Sequence, residues 1–323
     1  MPGFNTHYFF GINTLKHLDD CEVKVCCKQH PQVYALGLQG PDVFFYFVIA
    51  GFLDRKNIGS LVHVSKTNEF FTSMFESLSL FDTPSAHRSN PQARETAIAY
   101  MAGFLGHYLL DANAHPFIYA RTDYNRKDNS YYGRHVFLET DIDHLLLEKY
   151  TGKLPSEFKQ EKIIKMSKAE CRVVTDLLYE TYHKTYPAVK AFRPLMQTAL
   201  HAMPLFCHLL RDKYGRKKAW ARKIEEIIFG YPIISPLIAS DTLLFCRDPF
   251  NLRREQWNNP WDESVISNST FFELMTVAEQ EYLDILNYFT TATSNDAQVY
   301  HEPFLEMTGN RSYHSGLDCS IPS

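Results

Sequence analysis

Two short stretches of this chain carry imidazole and carboxylate side chains at one-turn helical spacing. One reads His107-x3-Asp111-x3-His115, the other His135-x3-Glu139. Residues four apart on an α-helix share a face, with Cβ atoms about 5–6 Å apart. That separation lets two side chains close on one ion, since zinc bonds a histidine nitrogen at about 2.0–2.1 Å. Charge points the same way. Asp111 has no Lys or Arg within four residues on either side and follows the apolar stretch AIAYMAGFLGHYLL. An unpaired ionised carboxylate there costs several kcal/mol, so a metal or a remote Arg must offset it. A single helical histidine is usually a satisfied core residue, and HxxxD alone is common. Two such units within 33 residues, the first in a nearly uncharged helix, make metal binding a reading of equal standing.

Helices must position these groups. Pro91 to Leu110 is expected as a helix, with Asn90 as N-cap and Pro91 in the first position. It is apolar nearly all round and should lie centrally. Pro116 then permits a new helical turn after a short break. Tyr131 to Tyr150 is a second helix. Gly59–Leu80, 157–186, 195–211, 214–229 and Phe271–Phe289 read as further helices. The first 60 residues, broken by Gly37, Gly40, Pro41, Gly51 and Gly59, read as loops and short helices. A stretch containing Pro232, Pro236, Pro249 and Pro260 should wrap the surface, and the tail from Ser294 is polar and irregular. Strand-like alternation is scarce. The expectation is an all-α fold, one domain over 1–323, with the candidate ligands inside 1–150.

Composition narrows the class. The chain has 323 residues, 45% hydrophobic and 22% charged, ordinary for a globular protein that needs no staples. A net charge of -4 disfavours a nucleic-acid binder acting through broad electrostatics. The opening lacks a basic n-region. The longest uncharged apolar run, Val43 to Leu53, falls short of the roughly 20 residues a bilayer needs. Seven cysteines, without a CxxC pair, indicate neither a disulfide framework nor a zinc ribbon. A cytoplasmic location with reduced thiols is expected. HExxH and GxxxxGK[ST] are absent, against zincins and P-loop enzymes. A di-iron bundle needs two Glu-x-x-His units, and only Glu180 to His183 forms one.

The segment GFLGHYLLDANAHPFIYA (103–120) resembles the metal-binding core of the zinc-dependent phospholipase C family. PGFNTH at the start, GPD at 40–42 and RHVFLE at 134–139 resemble other parts of it. Single-strand-specific zinc nucleases are a sister group. The resemblance implies an all-helical domain holding two to three Zn2+. On this basis His7, Asp42, His63, His107, Asp111, His115, His135 and Glu139 match the ligands in type and order. Asp42 is also a candidate general base, and Asp111 a bridge between two ions. The interval from Asp42 to His63 is longer than the family pattern, so His63 is the loosest match. In secreted members a processed terminal residue binds zinc. Here removal of Met1 would free the Pro2 amine for that role; the alternative is an unligated terminus.

The implied chemistry is phosphoric-ester hydrolysis, in which a zinc-bridging hydroxide attacks a phosphodiester. Three Zn2+ against three carboxylates and a hydroxide leave net positive charge, suited to a phosphodiester or phosphomonoester, phospholipid included. A nuclease or a small-metabolite hydrolase on the same site is the enzymatic alternative, with nucleic acid disfavoured by the net charge. A catalytically inactive metal-binding protein is the non-enzymatic one. The basic run RDKYGRKKAWARK (211–223), with Trp220, reads first as a solvated helix face. Contact with anionic lipid at a membrane surface, or with nucleic acid, is the alternative. Phe44, Phe45, Phe47, Tyr131 and Tyr132 flank the candidates and read as core before pocket. His201 and His208 read as structural.

Overall fold

The computed structural model describes residues 3–46, 58–82, 92–124, 131–189, 191–232, 234–241, 246–294 and 301–321. Pro2, Phe47 and the Asn90–Pro91 cap lie outside them, as do the side chains of Tyr131 and Tyr132. The protein is all-α. In chain order the helices are α1 (Phe4–His17), α2 (Glu22–Gln29), α3 (Pro31–Gly37), α4 (Ile58–Val64), α5 (Thr67–Glu76) and α6 (Ala93–Arg121). There follow α7 (Tyr131–Thr151), α8 (Gln160–Ile163), α9 (Lys168–Thr185), α10 (Arg193–Leu209), α11 (Arg216–Ile228), α12 (Phe271–Ser294) and α13 (His301–Thr308). One antiparallel hairpin, β1 (Trp257–Asn259) with β2 (Asp262–Ser267), interrupts them.

Helix α6 is the axis of the molecule. Its alanines and leucines favour helix, and it is buried on every face. Helices α1, α2, α3, α7, α9 and α12 all pack against it, so the expected central position holds. The expected break before Pro116 does not occur. Pro116 lacks the N–H that would bond the Ala112 carbonyl, yet the helix runs on to Arg121. The C-terminal segment covers the freed carbonyl. Gly316, at φ +66°, approaches so closely that a Cβ there would lie 2.5 Å from the Ala112 oxygen.

That segment corrects a second expectation. Far from an irregular tail, residues 301–318 form α13 and then run back along α6. Arg311 N–H donates to Tyr108 Oη at 3.0 Å, and Tyr313 is fully buried. Its polar residues serve tertiary bonds, for example Asn310 N–H to Asn68 Oδ1 at 3.0 Å. Periodicity does not register such contacts. The first 60 residues are also more helical than expected, because Pro and Gly fall at helix junctions. Pro31 opens α3, and Gly37 closes it. The single helix expected over 157–186 is two, since Ser167 starts α9 with a capping box to Glu170. The hairpin lies inside the Pro-rich stretch, where short strands leave little alternation to read.

One tie links the two metal-candidate regions. Asp143 on α7 accepts bonds from Thr6 N–H (2.7 Å) and Thr6 Oγ1 (3.0 Å), capping the start of α1 from a distance. Glu139 sits one turn earlier on α7, so the helix that carries Glu139 also caps the start of the helix that carries His7.

Gly316→Ala is expected to destabilise the protein by about 1–3 kcal/mol, through left-handed backbone strain and overpacking together. Denaturant unfolding checks this; an unchanged midpoint would show that the segment does not seat on α6.

Candidate metal centre

The seat of the candidate ligands is the place where α1, the turn after α3, α4, α6 and α7 converge. Gly40 to Phe44 forms a 3-10 turn carrying Asp42. Gly40 has φ +50°, and a Cβ there would lie 2.3 Å from the His107 ring. Glycine therefore lets the turn and α6 come together.

Asp111 lies at the middle, fully buried. Its Oδ1 is 3.2 Å from His7 Nε2, and its Oδ2 is 3.0 Å from His107 Nε2, 3.6 Å from His115 Nδ1 and 3.7 Å from His63 Nε2. His63 Nε2 is also 3.2 Å from Asp42 Oδ1. Glu139 Oε1 lies 2.8 Å from His135 Nε2 and 3.3 Å from His115 Nε2. Among the described residues, three groups have donor atoms close enough to hold a metal ion: His7, His107 and Asp111; Asp42, His63 and His107; His115, His135 and Glu139. Every described candidate from the sequence is thus brought together, His63 included. Pro2 lies outside the described residues.

Backbone carbonyls orient three imidazoles. His63 Nδ1 bonds Gly59 O at 2.8 Å, His107 Nδ1 bonds Leu38 O at 3.2 Å, and His115 Nδ1 bonds Tyr313 O at 2.7 Å. A carbonyl only accepts, so each Nδ1 carries the proton and each Nε2 is left with its lone pair toward the cluster. Leu38 follows the end of α3, whose terminal carbonyls have no helical partner.

The donor set fits a metal. His7 Nδ1 and Nε2, Asp42 Oδ1, His63 Nε2, His107 Nε2 and both Asp111 oxygens are buried without a hydrogen-bond partner. Left so, each would cost about 1–3 kcal/mol. The electrostatics keep the carboxylates ionised. Burial pushes Asp111 up, but His115, His107 and His7 outweigh it and hold it well below the usual range. Burial likewise opposes the lowering of Asp42 by His107 and His63, and of Glu139 by His135. His7 is driven down to about 4 by burial and by His107, against the pull of Asp111. His135 is lowered by burial, with Glu139 opposing.

The motif reading missed the C-terminal contribution. Tyr313 N–H donates to His63 O at 2.9 Å while Tyr313 O holds His115, so one residue braces two candidate ligands. Ser312 Oγ adds a bond to His63 O at 3.1 Å. Next along the chain, His314 lines a cavity of about 330 Å³ with His63, His135 and Glu139. Burial and the neighbouring His63 and His115 lower its pKa. Phe45, Tyr46, Tyr119, Val136 and Leu237 form apolar walls. A polar tail with one histidine offers no spacing signal for this. Of the flanking aromatics, Phe45 lines the cavity, whereas Phe44 packs in the core against Tyr182. Glu180 pairs with Arg193, and His183 stacks on Tyr179, so neither joins the cluster. His201 bonds Cys171 and His208 bonds Arg211.

Fold and cluster define the class: an all-helical protein with a buried histidine–carboxylate site able to hold metal ions. The zinc dependent phospholipase C family model matches residues 6–191, and the chain belongs to that family. Comparison with the curated proteins and with the solved structures gives no match.

In metal-free protein, His7 makes stability fall with acid. The unfolded chain takes up a proton near pH 6.5, whereas buried His7 resists until about 4. Stability is therefore present above about pH 6.5 and drains as pH falls toward 4. Melting curves of wild type and His7→Gln test this, the variant giving the flatter profile over that window. Parallel profiles would assign the loss to other groups.

Proposed function

We propose that the protein is a zinc-dependent phosphoric-ester hydrolase of the phospholipase C type, acting on a phosphodiester with an apolar portion. The observation that carries this reading is a set of seven buried, unpartnered donor atoms beside a cavity with apolar walls. In it, Asp42, His63, His107 and Asp111 would hold one ion, and His115, His135 and Glu139 a second. His7 with Asp111 would hold a third.

When bound, zinc supplies a nucleophile at neutral pH, by lowering the pKa of water from about 15.7 to about 7, and positive charge for the phosphoryl oxygens. The chain's own residues do the rest. Asp42, kept ionised by His107 and His63 against its burial, would take the proton that the water gives up before attack and return it to the leaving oxygen. His314 donates a hydrogen bond to a phosphoryl oxygen from the cavity side. Phe45, Tyr46, Tyr119, Val136 and Leu237 take the apolar part of the ester and exclude water. Those walls favour a phospholipid over a polynucleotide or a small polar metabolite. We also propose that residues 1–323 act as one domain, since 312–314 brace and line a cluster built from residues 7–139.

Zinc content and turnover of bis-p-nitrophenyl phosphate and phosphatidylcholine, measured on untagged protein with its native terminus, test this. Two to three zinc ions per chain with turnover lost in Asp111→Asn support it. Zinc without turnover would mark an inactive metal-binding protein, and turnover of single-stranded DNA alone a nuclease. His314→Ala is expected to lower kcat/KM by about 10–100-fold at unchanged zinc content, the loss of one hydrogen bond to a charged group.

A further inference from the structure

Helix α11 is mounted inside out. Lys218 and Glu225 are buried, while Trp220, Ile227 and Ile228 are 69%, 76% and 64% exposed. Helical geometry accounts for the pattern. At 100° per residue, positions 218 and 225 share one face and positions 220 and 227 the opposite one. The charged face is held inward by specific bonds. The Lys218 backbone N–H donates to Asp212 Oδ2 at 2.9 Å, and the Lys218 ammonium lies 5.2 Å from the centre of the Phe137 ring on α7. Glu225 accepts from the N–H groups of Ile234 and Ser235. With that face committed, Trp220 and Ile227 must point away from the protein.

The exposed stripe continues into Phe229 and Ile234, both more than half exposed. Three residues further on, Leu237 lines the cavity beside the metal cluster. The apolar surface therefore leads along the chain to the lip of the proposed active site. Cations surround it. Between 211 and 226 there are seven Lys and Arg against three acidic residues, in a chain whose net charge is -4. Lys213, Arg216, Lys217 and Lys223 are exposed. Tyr214 is 70% exposed, with the Lys213 and Arg216 charges near its ring.

We infer that α11, with Phe229 and Ile234 beyond it, forms a docking surface for an anionic phospholipid bilayer, which presents substrate to the adjacent cavity. Trp220, Ile227, Ile228 and Phe229 enter the headgroup–acyl boundary, and the flanking cations meet lipid phosphates. The charge decides among occupants. Two copies of this chain meeting through the same face would set cation against cation. A polynucleotide would match the cations but leave the isoleucines and Phe229 in water. An anionic bilayer satisfies both. The inference deepens the phospholipase reading, though docking itself needs no turnover.

Co-sedimentation with phosphatidylcholine vesicles, with and without phosphatidylglycerol, tests it. The full chain is expected to partition onto the anionic vesicles, with a blue shift in tryptophan emission that Trp220→Phe removes, and to be released by salt. Ile227→Asp, at an exposed position that leaves folding intact, weakens partitioning by about tenfold or more. Its turnover of soluble bis-p-nitrophenyl phosphate stays at the wild-type level. Failure of wild type to bind anionic vesicles, or equal binding by Ile227→Asp, overturns the docking surface. So does self-association without lipid that Ile227→Asp abolishes, together with no vesicle binding. Vesicle binding without turnover of any phosphodiester leaves the surface standing and sinks the hydrolase reading alone.

Discussion

A carboxylate buried at the centre of the most apolar helix is the constraint around which this protein is arranged. Asp111 sits in α6 where water does not reach, and the ionisable groups nearest it are histidines from α1, α4 and α6. A buried negative charge is tolerated only if positive charge or hydrogen bonds compensate it. Three imidazoles, from His7, His107 and His63, turn Nε2 toward it at 3.0–3.7 Å and are well placed to share a cation with it, and both Asp111 oxygens are without a hydrogen-bond partner. With the same geometry, a metal held there would add to folding stability.

The cluster requires imidazoles that present Nε2 rather than Nδ1, His107 and His63 to Asp111 and His115 to Glu139, and the fold arranges this with spare backbone carbonyls. The end of α3 serves His107, the first turn of α4 serves His63, and the returning C-terminal segment serves His115. The last is the longest-range of the three. It depends on Pro116 freeing a carbonyl inside α6 and on Gly316 fitting against it. A residue outside the 6–191 match, Tyr313, thereby braces two of the proposed ligands.

The surface follows a related logic in reverse. Around the cluster polar groups are buried because they are committed to one another. On α11 charged groups are buried because Asp212, Phe137 and the backbone at 234–235 engage them, and apolar groups are displaced outward. A charge run read along the sequence suggests a solvated face. The run's exposed part is instead a mixture of cations and large apolar side chains, the composition expected of a surface that meets something amphipathic.

Local chemistry determined much of this protein before any folding was considered. The four-residue spacings of His107, Asp111, His115, His135 and Glu139 follow from helical geometry alone, and the apolar surroundings of α6 already required a partner for Asp111. The helical class and the central place of α6 followed from the same periodicity. Tertiary structure decided the rest. His7, Asp42 and His63 came from a resemblance and carry no local signal, because their partners lie far away in sequence. Tyr313 and His314 escaped notice because a polar tail gains order only from backbone bonds to distant helices. The outward turn of α11 was likewise illegible, since amphipathic spacing shows that a helix has two faces but not which one the protein keeps. Short-range geometry is written in neighbouring residues, whereas the identity of the neighbour across the fold is set only when the chain packs.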